Sequence, residues 1–419
     1  MTPPPKPYSS THSQWVAMAG SCLWAIPVGL LAGTASALFL WSLDRATETR
    51  GAYPWLLYCL PAAGFGVGWI YQRIGQKAEG GTNLIIEQIH APGGGVPARL
   101  APLVLVGTLV THLCGGSAGR EGTAVQMGGS IASVLGRRFR LPPQTLRVVL
   151  MAGVAAGFGS VFGTPVAGAV FAVEVIASDR TQYRMLLPLL LASWVGHFTC
   201  SAWGIQHAIY HIASSIGTKL EDFIEPLLGI KVMIAAVVFG CASRLFTAIS
   251  HRLNDAFKRF VAYAPLRPMI GGLMVLALVY FVGKRDYLGL GLSSNDPATI
   301  TLLSAFEAGG AGPWSWAWKL IFTVVTVASG FKGGEVTPLF FIGATLGHTL
   351  ALLLGAPVDL LAGLGLIAVF AGATKTPLAC TLLGVELFGA HHAVYFAIAC
   401  WLAPRCSGSA TLYNRKGRG

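Results

Sequence analysis

Apolar runs cover most of the chain, near 15–44, 53–72, 100–114, 124–135, 145–159, 165–177 and 185–204, then near 225–249, 267–283, 317–330, 338–354, 360–373, 376–388 and 392–403. They are continuous, so each predicts a helix; the strands of a membrane barrel would alternate apolar and polar positions over about ten residues. Several runs fall short of the roughly 20 residues that cross a bilayer. Broken or half-crossing helices are therefore predicted, and such helices line sites in transporters. Residues 1–14 read as a polar, proline-rich tail, and the polar stretch HIASSIGTKLEDF at 211–223 separates two sets of runs. The expected organisation is a tail at 1–14, a first membrane repeat at 15–210, a linker at 211–224 and a second repeat at 225–419.

Composition places these helices in a lipid bilayer. Of 419 residues, 54% are hydrophobic and 11% charged, against about 25% charged in soluble domains, and the mean hydropathy is +0.63. The 53 glycines suit helices that approach closely or break where protein covers the backbone. Net charge is +12, with Lys6 before the first run and Arg405, Arg415, Lys416 and Arg418 after the last. By the positive-inside rule both termini are expected in the cytoplasm, and the charge reads as topology, not nucleic-acid binding. No cleavable signal is expected, because the first run is too long and lacks a small-residue cleavage pattern. The eight cysteines are scattered singly and read as packing residues, neither metal ligands nor disulfides.

The two sets of runs repeat one another. GSAGREGTAVQMGG at 116 aligns with GFKGGEVTPLFFIG at 330, pairing Gly116 with Gly330, Gly119 with Gly333, Glu121 with Glu335, Thr123 with Thr337 and Gly129 with Gly343, at a spacing of 214. TPVAGAVFAVE at 164 aligns with TPLACTLLGVE at 376 at a spacing of 212. Two ordered matches at nearly one spacing indicate an internal duplication, parallel or inverted.

In both copies a glycine cluster precedes a glutamate, a threonine and an apolar run. That layout feeds a helix N-terminus, whose unpaired N–H groups and positive dipole end attract anions. The bland alternative is that the glycines serve close packing alone. A carboxylate at membrane depth is costly and marks function by default. On a loop that attracts anions it competes with the anion until it is protonated, so Glu121 reads as a proton-operated gate. Pairing of Glu121 with Arg120 is disfavoured, since adjacent helical residues do not face each other.

GREGT at 119–123, GGEVTP at 333–338 and the stretch ending FAVE at 171–174 resemble the CLC family of chloride channels and anion/proton exchangers, over nearly the whole membrane region. The resemblance implies an all-α polytopic fold of two inverted halves with tilted, broken helices, assembled as a homodimer. It implies that Glu121 is the external gate and that the loop amides at Glu335 and Val336 hold the central anion, with Gly119, Arg120, Gly122, Gly333 and Gly334 shaping the two loops. The departures narrow it. The common pattern has proline where Thr123 stands and a hydrophobic residue where Glu335 stands. This combination resembles the fluoride/proton antiporter branch, in which the extra glutamate and the nearby threonine, here Thr337, belong to the transport site. The usual inner proton-transfer glutamate falls on Val175, one past Glu174, leaving Glu335 as the substitute. The anion-contacting serine falls near Thr82 and Asn83, with a plain turn as the alternative. The family's anion-facing tyrosine falls on Tyr413, with an interfacial anchor as the alternative.

The expected function is export of fluoride driven by proton inflow, in the inner membrane of a bacterium; a chloride/proton exchanger or passive anion channel of the same fold is the alternative. Fluoride is small and strongly hydrated, so dense donors such as threonine hydroxyls and helix amides must replace its lost water. An intramembrane enzyme is not expected: Asp179, Asp222 and Asp255 lie in polar breaks, and no nucleophile–base set or metal motif occurs in the runs. His391 and His392 lack partners at metal-ligand spacing, and no cofactor is called for. His112 near the gate loop reads as packing, with a proton relay as the alternative, Glu174 and Glu386 as structural groups where the halves meet, and Glu87 as lining either a dimer face or an aqueous opening.

Overall fold

The computed structural model describes residues 11–413 apart from 76–77, 92–93, 177–179, 209, 214–224, 293, 295 and 297. Among these the chain is all-helical. The first half carries α1 (Thr11–Ala52), α2 (Leu60–Ile74), α3 (Gly81–His90), α4 (Leu100–Leu113), α5 (Glu121–Arg138), α6 (Pro143–Phe162), α7 (Pro165–Ile176) and α8 (Leu186–Ala202). The second carries α9 (Pro226–Phe260), α10 (Leu266–Val282), α11 (Ser315–Ala328), α12 (Val336–Leu354), α13 (Val358–Thr374), α14 (Pro377–Phe388) and α15 (Ala393–Cys406). Of the expected tail and linker, residues 1–10 and 214–224 lie outside the described residues, as do Asp179, Asp222 and the terminal basic residues Lys6, Arg415, Lys416 and Arg418. α1 already begins within the expected tail.

Among the described residues five helices, including α6, α9, α12 and most of α1, are long and apolar enough to cross a membrane; six others are apolar but only 10–17 residues long. A 12-residue helix such as α7 rises about 18 Å at 1.5 Å per residue, well short of a hydrocarbon core of about 30 Å. The expected short helices are therefore real, and their ends lie inside the protein. One expectation needs correcting: Asp255 sits on α9, not in a polar break. α9 runs on because Leu253 packs against the core and Phe257, four residues on along the same face, is buried.

Reciprocal contacts relate the two halves. Glu386, near the end of α14, accepts hydrogen bonds from the Val166 and Ala167 N–H groups at the start of α7, at 2.9 and 2.7 Å. Glu174, near the end of α7, does the same for Leu378 and Ala379 at the start of α14, at 3.1 and 2.7 Å. Each carboxylate thus caps the other helix's orphan donors and meets its positive dipole end. Only an antiparallel pair permits that exchange, so the halves are inverted. The expected structural role of both glutamates matches this geometry.

Between helices in lipid there is little hydrophobic drive, so close packing of small residues carries association. Gly128 of α5 meets Gly153 of α6, and Gly343 of α12 meets Gly365 of α13, so closely that a Cβ on any of the four would strike its partner's carbonyl. The same crossing thus recurs in both halves. α6 and α13 both end in a left-handed residue before a Thr-Pro pair, Gly163 (φ 74°) and Lys375 (φ 60°). That conformation costs a non-glycine residue roughly 1–2 kcal/mol. At Lys375 the ammonium offsets it by donating to the Pro404 and Gly408 carbonyls at 2.9 and 2.6 Å. At the seam, Phe158 stacks on Phe171 (4.5 Å) and faces Phe370 (6.3 Å), which meets Phe340 edge-on (5.5 Å).

Candidate anion and proton site

The two glycine loops meet at this seam. Gly119 and Gly334 form an isolated antiparallel bridge, the Gly119 N–H donating to the Gly334 carbonyl at 2.5 Å and the Gly334 N–H to the Gly119 carbonyl at 2.7 Å. Side chains are excluded here: a Cβ on Gly334 would stand 2.8 Å from the Gly122 nitrogen, and one on Gly333 (φ 153°) would run into Ala118. Glycine is therefore required for the two helix starts to come together, and α5 and α12 begin within two residues of the bridge.

Glu121 is the first residue of α5 and is 1% exposed. Its side chain turns back across the seam. Oε2 accepts from the Arg120 N–H and the Thr337 N–H, both at 3.1 Å, while Oε1 accepts a short hydrogen bond from the Thr337 hydroxyl. The carboxylate thus sits at the N-terminus of α12, where orphan amides and the helix dipole favour negative charge. Val336 and Thr337 open that helix and are buried.

Arg120 departs from expectation. Its Nε lies 3.7 Å from Glu121 Oε1, an ion pair that adjacent helical residues were expected not to make. Arg120 precedes the helix as its N-cap (φ −112°), so the helical geometry behind that expectation does not apply. Nε makes no hydrogen bond, whereas Thr337 makes two to the carboxylate. Thr337 is the principal partner.

Glu335 holds the N-cap position of α12 without a side-chain cap bond and lines a cavity of about 190 Å³. Thr82, Asn83, Gly333 and Tyr413 share its walls. Residues expected from three separated stretches therefore converge around one carboxyl. Thr82 Oγ1 accepts from the Gln126 amide at 3.4 Å. Tyr413 is buried and packs edge-on to Phe171 at 6.2 Å, which is not the setting of an interfacial anchor. Sequence reasoning missed Gln126, Lys332, Tyr71 and Glu79, all in the same walls. Signals were present for two of them: a glutamine inside AVQMGG and a lysine inside GFKGGE, both polar at membrane depth.

The remaining candidates are structural in their contacts. Thr123 does not join the cavity; its hydroxyl pairs with Thr108 at 2.7 Å, tying α5 to α4. Both ring nitrogens of His112 meet carbonyls, Thr108 at 2.8 Å and Ala118 at 2.9 Å, which anchors the first loop. Val175 is buried and aliphatic, and the neighbouring Glu174 is engaged at α14. Glu87 is exposed on α3. No cluster of three metal-ligating side chains occurs among the described residues.

Inverted halves joined at glycine-loop helix starts, with a carboxylate seated on one of them, define an anion-transport protein of the CLC type. The voltage gated chloride channel family model matches residues 63–408, and the chain belongs to that family. It is 46% identical, over 96% of its length and 86% of the relative, to a chloride/fluoride channel protein of Pseudomonas syringae pv. tomato. It superposes on the crystal structure of a CLC-type fluoride/proton antiporter with a TM-score of 0.88 at 34% identity, covering 97% of this chain and 98% of that one. A slow cyanobacterial Cl−/H+ antiporter shares the fold at a TM-score of 0.76 and 19% identity, over 92% and 94% of the two chains.

Proposed function

We propose that this protein exports fluoride from the cytoplasm in exchange for protons, with Glu121 as the proton-operated gate and Glu335 as the second proton-carrying group. The observation that carries the reading is the Glu121 carboxylate on the Thr337 N–H and hydroxyl. A carboxylate there holds the place an anion would take. Protonation removes its charge and its claim on those donors, and fluoride, an acceptor with no proton of its own, replaces it. Glu335 faces the cavity that Thr82, Asn83 and Tyr413 share. Protonated, it donates to an arriving anion; ionised, it repels one. Alternation between the two carboxyls couples fluoride movement to proton movement in the opposite direction. The fluoride-branch relative supports the substrate, as does the dense donor set that a strongly hydrated ion requires.

Basic residues crowd two turns, with Arg137, Arg138, Arg140 and Arg147 around the α5–α6 turn and Arg252, Lys258, Arg259 and Arg267 around the α9–α10 turn. By the positive-inside rule we assign both turns to one basic, cytoplasmic face and the two termini to the cytoplasm. The setting is a bacterial inner membrane, in keeping with the Pseudomonas relative, and the assembly a homodimer. The test is ion flux in proteoliposomes with an imposed proton gradient. Uphill fluoride movement driven by protons is expected, with chloride moving far more slowly. Fluoride flux without coupling sinks antiport, and a preference for chloride sinks the substrate assignment.

A further inference from the structure

A second cavity, of about 340 Å³, adjoins the Glu335 cavity. The two share Tyr71, Glu79 and Lys332 in their walls, so those three residues form the partition between them. The larger cavity adds Lys258 and Arg267 on its far side, leaving Glu79 as the single acidic residue against three cations. A cavity whose lining carries a net excess of one charge and is walled by protein focuses its field and concentrates counter-ions.

Lys332 is built into the partition. Its stem lies against Gly107 of α4, where any Cβ would displace it, and its Nζ stands 4.0 Å from the centre of the Tyr71 ring. No carboxylate lies within 4.0 Å of it among the described residues, and no hydrogen-bond partner satisfies it. An aromatic face returns only part of the hydration that an ammonium gives up on burial. Glu79, in the same partition, supplies a longer-range negative charge, and the side of the ammonium that faces the cavity is left for a mobile anion to meet. Lysine suits this task better than arginine, because its compact, strongly hydrated point charge matches a small hard anion. It also stands three residues before Glu335 on the same loop.

We propose that the larger cavity is an antechamber that binds a small hydrated inorganic anion, and that Lys332 hands this anion to the Glu335 site. The proposal rests on the transport reading above and adds a binding step before it. An anion from the basic face meets a cation first and the glutamate second, so Lys332 sets the concentration of anion that Glu335 encounters.

The test measures the fluoride concentration dependence of flux from the basic face at low and high ionic strength. Lys332→Gln is expected to raise the half-maximal fluoride concentration about tenfold at low salt. It should also flatten the salt dependence while keeping the proton-to-fluoride ratio, and Lys332→Arg should restore most of the loss. Lys258→Gln, on the exposed rim, should shift the same parameter in the same direction by about twofold. Wild-type concentration and salt dependence in Lys332→Gln would overturn the antechamber. So would a fall in maximal rate alone that Lys332→Arg does not repair. If the wild type shows no coupled flux, the transport reading fails; calorimetric titration of fluoride and chloride into wild type and Lys332→Gln then decides the antechamber alone, equal affinities rejecting it.

Discussion

The loops at 116–129 and 330–343 are copies of one another, yet their glutamates do opposite things. Glu121 crosses the seam and seats its carboxylate on the N-terminus of α12, where the Thr337 hydroxyl and N–H receive it. Glu335 does not return the gesture. It faces the cavity of Thr82 and Tyr413, and Thr123, the counterpart of Thr337, gives its hydroxyl to Thr108 instead. Had both glutamates docked, two carboxylates would have been locked into one dry seam. With one docked and one facing a cavity, the duplicated loops suit the proposed division into a gate on one side and a proton-carrying wall on the other.

Three substitutions probe this asymmetry, in descending order of effect. Glu121→Gln is expected to abolish proton coupling, because a neutral amide has no charge to surrender; proton uptake driven by a fluoride gradient, recorded with a pH electrode, checks it. Thr337→Val removes a hydroxyl bonded to a charged group, an interaction of about 1.5–3 kcal/mol. Fluoride and the carboxylate both lose that donor, so selectivity for fluoride over chloride should fall by about tenfold, read from paired flux measurements. Thr123→Val removes only the bond to Thr108. It should cost about 1 kcal/mol of stability, visible in thermal melts, and leave coupling and selectivity intact. If Thr123→Val damaged selectivity as much as Thr337→Val, the loops would be equivalent and the asymmetry an error.

Much of this was legible in the chain because the bilayer enforces it. Continuous apolar runs too short to cross a membrane have to be broken helices, and α7 and α14 are. Charged residues at membrane depth are rare enough that Glu121 and Glu335 stood out, and the repeat spacing paired them. What sequence could not supply was direction and partner. Spacing alone left the copies parallel or inverted until the exchange of caps between Glu174 and Glu386 settled it. Nothing local distinguishes Thr123 from Thr337, since each follows a glutamate by two positions; the difference lies in Thr108, on another helix. Lys332 was readable as a charged residue inside GFKGGE at membrane depth, but its partner was not. Its contact with Tyr71 comes from α2, far away in sequence.

The central claim is that the Glu121 carboxylate and the transported anion compete for the start of α12. Calorimetric fluoride titrations of the purified protein across pH test it most directly. Displacing the carboxylate takes up a proton, so wild-type affinity should strengthen as pH falls, while Glu121→Gln should bind fluoride with little dependence on pH. The same pH dependence in wild type and Glu121→Gln would contradict the account.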